Sequence, residues 1–118
     1  MDAISVTILI VIIVLAMHLV EEVKTGFRKK MLIGEMPRSL FVGLNILLYA
    51  FCFTTLGLSV RGHALAIPLT WIFAIAMLLN GVGHIGIMIV RRSYFPGGLT
   101  AFLLLPASLY LIAQLMQR

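Results

Sequence analysis

Four runs of about twenty apolar residues, separated by short segments that carry the charges, leave this chain few folds to choose from. The runs lie at about residues 4–23, 39–60, 64–90 and 99–116. Each is long enough to cross a hydrocarbon layer of about 30 Å as a helix. With 62% hydrophobic residues and 11% charged ones, against about a quarter charged in soluble domains, a water-soluble fold is excluded. The expectation is an all-α, polytopic membrane four-helix bundle in which residues 1–118 form a single transmembrane domain.

Local signals punctuate the runs. Lys24, Arg28, Lys29 and Lys30 end the first, Pro37 and Ser39 start the second, and Arg61-Gly62 stops it. Pro68 sits in the first turn of the third helix, where its missing N–H does little harm. Trp71 reads as an interfacial anchor. Arg91-Arg92 closes that helix, and Ser93 to Gly98 has turn chemistry. Pro106 inside the fourth predicts a kink with its freed carbonyl met by a neighbour. Phe27, Met31 and Leu32, apolar among the first loop's charges, suit a short interfacial turn. Met1-Asp2-Ala3 carries no positive leader and no small-residue cleavage site follows, so the first run reads as a span rather than a signal peptide.

Nine Lys and Arg against four Asp and Glu suit topology rather than nucleic acid, since the cations cluster in two short loops without an aromatic platform. Seven of them, Lys24, Arg28, Lys29, Lys30, Arg38, Arg91 and Arg92, fall on one side, and only Arg61 and Arg118 on the other. Both termini are therefore expected outside the cytoplasm. Cys52 is the only cysteine, which excludes a disulfide framework and paired-thiol metal motifs. His63, beside Arg61, reads as an outer-loop residue.

Two polar clusters interrupt the apolar runs. In the first, His18, Glu21 and Glu22 stand at i, i+3 and i+4, within about 100° on a helix of 3.6 residues per turn. In the second, Asn80 and His84 share a face of the third helix. Placing the spans by their basic ends puts both clusters in the cytoplasmic leaflet, with Asn45, the Pro96-Gly97-Gly98 turn and Thr100 at similar depth. Charges in hydrocarbon cost about 2.5–3.5 kcal/mol each on insertion scales, so adjacent carboxylates call for a compensating partner. His18, Glu21 or Glu22, and His84 suit a divalent metal, zinc or iron, with a coordination position left open. The glutamate not used as ligand is then placed as a general base. Both Glu21 and Glu22 are candidates for either role, with Asn80, Asn45 and Thr100 in support. A dinuclear centre would lack carboxylates. Gly81, Gly83 and Gly86 read as packing positions that let another backbone approach.

His18-Leu19-Val20-Glu21-Glu22, the pair Asn80 and His84, and Tyr94-Phe95-Pro96-Gly97-Gly98-Leu99-Thr100 followed by Pro106 together resemble the HXXEE domain family of small bacterial membrane proteins. The resemblance covers almost the whole chain. It implies an inner-membrane protein in which His18, Glu21, Glu22, Asn80 and His84 form a shared, metal-dependent site. Val23-Lys24-Thr25-Gly26 departs from the longer aromatic-rich segment expected after the glutamates. The resulting expectation is a metal-dependent, hydrolase-like enzyme acting on a lipid-soluble or amphipathic substrate, with self-association left open. A small proton-coupled transporter and a non-catalytic scaffold subunit are the alternatives.

Overall fold

A computed structural model describes residues 1–31 and 34–118. Four α-helices carry these residues: α1 (Ala3–Thr25), α2 (Arg38–Val60), α3 (Ala66–Arg91) and α4 (Gly98–Met116), with a 3-10 turn at Phe27–Lys29 after α1. All four are long and apolar enough to cross a membrane, and the molecule is a membrane four-helix bundle.

The ends follow from local chemistry. Asp2 caps α1 by accepting the Ser5 N–H at 2.8 Å, a bond that holds its carboxyl below the usual range. Gly26, at φ 78°, supplies the left-handed residue that ends α1, its N–H reaching the Glu22 carbonyl. The next turn then carries Phe27 back over the bundle. Leu32, the third apolar residue expected in that turn, lies outside the described residues. α3 begins at Ala66 because the preceding residues are held in a turn. There the His63 carbonyl accepts from Ala66 N–H, and the His63 ring from Leu65 N–H.

The core is built around α4, which packs against both α1 and α3, whereas α2 lies more loosely at the side. Ile8, Val11 and Leu15 meet Phe73, Ala74, Met77, Leu104 and Leu111. Lipid tails are as apolar as these side chains, so close packing rather than the hydrophobic effect must hold such helices together. Gly81 shows how: a Cβ there would stand 3.2 Å from the Leu105 backbone nitrogen, so α3 and α4 touch beside Pro106. Gly83 and Gly86, expected in the same role, differ. Among the described residues, nothing from another element lies within 4 Å of where their Cβ atoms would be, and both line grooves instead. Several buried hydroxyls are satisfied internally, whereas that of Tyr49 has no partner among the described residues. Ser5 bonds Ser59 at 2.7 Å, and Thr55 and Thr70 turn back to carbonyls of their own helices. α4 runs on through Pro106. Ser108 donates to Leu105, not to the Phe102 carbonyl that the proline leaves without its helical donor.

Candidate metal centre

The charged end of α1 meets α3 and the start of α4, and the meeting point is polar. His18 is fully buried and His84 is 8% exposed. Their ring centroids stand 4.5 Å apart in an edge-to-face arrangement. Glu22 lies between them, one oxygen 3.7 Å from His18 Nε2 and the other 3.7 Å from His84 Nε2. One ligand-capable atom from each of the three residues falls within 4.8 Å of the other two. Around a tetrahedral zinc with bonds of roughly 2.0–2.1 Å, neighbouring ligand atoms sit about 3.3 Å apart. Closing on a cation therefore asks only for rotamer-scale adjustment.

Two ring nitrogens in this group, His18 Nε2 and His84 Nδ1, are buried with no hydrogen-bond partner among the described residues. A buried polar atom left so costs about 1–3 kcal/mol, which marks the spot as wanting a partner. The hydrogen-bond network also fixes which His18 nitrogen is available. Thr100 Oγ1 lies 2.6 Å from Glu21 Oε1, and a carboxylate can only accept, so the hydroxyl proton is spent there. The same hydroxyl, 2.8 Å from His18 Nδ1, must then accept from Nδ1–H. That leaves the Nε2 lone pair pointing at Glu22.

Glu21 departs from the ligand and general-base roles that its sequence position offers. Gly97 and Gly98 open α4 without a capping side chain of their own, and Glu21 supplies the cap from another helix. Its oxygens accept from Thr100 N–H at 2.7 Å and Leu99 N–H at 3.0 Å, from the Thr100 hydroxyl, and from the Tyr94 phenol. Burial, and then that bond to Glu21, push the Tyr94 phenol above its ordinary range, which keeps it a donor. A carboxylate at a helix N-terminus is also favoured by the helix dipole. Adjacent residues on a helix point about 100° apart, so with Glu21 aimed at α4, Glu22 is the one turned towards the histidines.

The remaining predicted residues divide. Asn80 is half-buried and lines a cleft together with His84. Thr100 bridges His18 and Glu21. Asn45 is not brought in: its amide donates to the Phe41 carbonyl of its own helix at 2.9 Å.

Several contributors escape sequence reasoning. Phe27 and Phe95 flank the His84 ring at 5.6 and 5.5 Å, and Arg91 stacks over Phe95 at 5.9 Å. Gly97, at φ 92°, crosses both imidazoles so closely that a Cβ would come within 2.6 Å of His84 Cε1 and 2.7 Å of His18 Cε1. Depth puts the Pro96-Gly97-Gly98 turn in this layer, and the Gly97-Gly98 helix start with no Ser, Thr, Asp or Asn before it implies a cap delivered from elsewhere.

The sequence model of one family, described as protein of unknown function with HXXEE motif, matches residues 9–111, a span that holds every residue of this site. The chain belongs to that family. No curated protein and no solved structure matches it.

Proposed function

We propose that this HXXEE protein holds a divalent cation, zinc or ferrous iron, on His18, Glu22 and His84. In this reading it uses the site as a hydrolase-like enzyme on an amphipathic substrate at the inner rim of a bacterial inner membrane. The observation that carries the reading is one ligand-capable atom from each of His18, Glu22 and His84 gathered inside 4.8 Å, with the buried His18 Nε2 unpartnered and 3.7 Å from Glu22. Nitrogen and oxygen donors of this kind suit zinc or iron. Three protein ligands leave a coordination position open, which is what polarising a carbonyl or phosphoryl oxygen or activating water requires.

The chain's own residues supply the rest. Glu21, through Thr100, orients His18; Gly97 shuts out solvent over the rings; Asn80 stands at the open side, where a substrate oxygen would arrive. The seven-to-two distribution of basic residues supports a cytoplasmic position for this layer, with both termini outside. A substrate would reach the site laterally from the leaflet or from the cytosol.

Elemental analysis of protein purified without chelators tests the reading. About one equivalent of zinc or iron per chain is expected, falling below about 0.2 in His84→Gln and Glu22→Gln. Wild-type protein that stays below that level after incubation with either metal, while remaining folded, removes the proposal.

A further inference from the structure

Two cavities flank the His18–Glu22–His84 group, one lined by His84 and the other by Glu22, and their linings are opposite in character. On the His84 side lies a cleft of about 290 Å³ walled by Phe27, Met31, Leu79, Ile87 and Phe95, with Asn80 as its polar residue besides His84. On the Glu22 side lies a cleft of about 570 Å³ whose lining includes Lys24, Arg28, Lys29 and Arg38. The wall between them is the single turn after α1. Phe27 faces the first cleft, its ring 6.3 Å from that of Phe41 in the second, and Arg28 and Lys29 face the second. His84 of the first lining and Glu22 of the second approach to 3.7 Å.

The charges of the second cleft are largely uncommitted. Arg28 is paired with Glu35 at 3.2 Å and also donates to the Met36 carbonyl. Among the described residues Lys24, Lys29 and Arg38 have no carboxylate partner within 4.0 Å. Glu22 is the acidic residue in the lining, and a cation bound between the histidines would offset it. Four cations around a cavity at the end of a membrane helix make a binding place for an anion, and lysine and arginine are the side chains that grip phosphate. An apolar slot and a cationic bowl joined at one group describe a ligand with both parts.

We infer that the substrate is an anionic amphiphile: a hydrocarbon chain lies in the Phe27–Phe95 cleft, and a phosphate-type head group sits over Lys24, Arg28, Lys29 and Arg38. The bond between head and chain then crosses the His18–Glu22–His84 group. This deepens the proposed metal reading and rests on it for location, but it stands on two cavities that the metal reading does not use.

The test is equilibrium binding to the full chain in neutral nanodiscs. Dodecyl phosphate, dodecyl maltoside, dodecyltrimethylammonium and inorganic phosphate serve as probes, and metal content is measured on the same samples. Dodecyl phosphate is expected to bind tightest. Lys24→Gln and Arg38→Gln should each weaken it about fivefold, as for one cation near an anionic surface. Leu79→Trp, which fills the apolar cleft, should weaken dodecyl phosphate and leave inorganic phosphate unchanged. Inorganic phosphate binding as tightly as dodecyl phosphate would show that the apolar cleft takes no part and overturn the inference. So would equal binding of the neutral or cationic amphiphile, or indifference to both charge substitutions. If wild-type protein carries its metal in such an experiment, only the substrate class fails. If metal is absent while dodecyl phosphate shows the expected pattern, the metal reading fails and the amphiphile site stands.

Discussion

Replacing Thr100 by valine keeps the shape of the side chain and removes one hydroxyl on which two polar groups depend. Thr100 Oγ1 accepts from His18 Nδ1 at 2.8 Å and donates to Glu21 Oε1 at 2.6 Å. Without it, the Nδ1–H of a fully buried ring has no partner. The ring can then shift its proton to Nε2, where it blocks the lone pair facing Glu22. Outer-shell partners that orient a metal-binding histidine are worth about 10–100-fold in metal affinity, which is about 1.4–2.7 kcal/mol. The lost bond to the Glu21 carboxylate adds about 1.5–3 kcal/mol to the destabilisation of the α1–α4 contact, softened by the Thr100 and Leu99 backbone donors that remain. The assay is competition for zinc against a chromophoric chelator, run alongside thermal unfolding. Thr100→Ser, which keeps the hydroxyl, should retain most of the affinity. A Thr100→Val protein that folds and binds zinc as wild type does would refute the assignment of the His18 tautomer, as would a Thr100→Ser protein that loses as much as Thr100→Val.

Gly97→Ala should cost metal binding and stability together. The new Cβ lands on both imidazoles at a φ of 92°, where a non-glycine residue is strained by about 1–2 kcal/mol; reduced metal content with a lowered unfolding temperature is the expected readout. Glu21→Gln and Glu22→Gln should separate two jobs that adjacent carboxylates do. The first is expected to lower the unfolding temperature and keep stoichiometric metal, because it weakens the cap on α4; the second should abolish metal and change the unfolding temperature of the metal-free protein little. Orientation is checked with single cysteines in a Cys52→Ala background: Ser93→Cys should be shielded from an impermeant thiol reagent added outside intact cells, and His63→Cys should be labelled.

Most of the fold could be read from the chain because lipid tolerates so few arrangements. Apolar length locates the helices, and basic loops and glycine or proline turns locate their ends. Depth alone, counted from those ends, puts His18 and His84 in one layer, and their rings do stand 4.5 Å apart. Depth does not give rotation. Nothing in the order His18-Leu19-Val20-Glu21-Glu22 says which glutamate faces α3, since that depends on where the bare N-terminus of α4 arrives and which carboxylate it draws. Asn45 fails for the same reason: it has the depth, and its amide turns back on α2. Gly83 and Gly86 resemble Gly81 in sequence yet lie on faces α4 does not touch. Phe27 was legible as an interfacial residue, but its passage back against His84 follows from the left-handed Gly26, a local geometry that composition does not reveal.

Anomalous diffraction from crystals of zinc-loaded protein tests the central claim most directly. The account predicts a single strong peak between α1 and α3, about 2.0–2.2 Å from a nitrogen of each of His18 and His84 and from a Glu22 oxygen, with the Glu21 carboxylate still on Thr100. A peak held by Glu21, or one located away from both imidazoles, would contradict it.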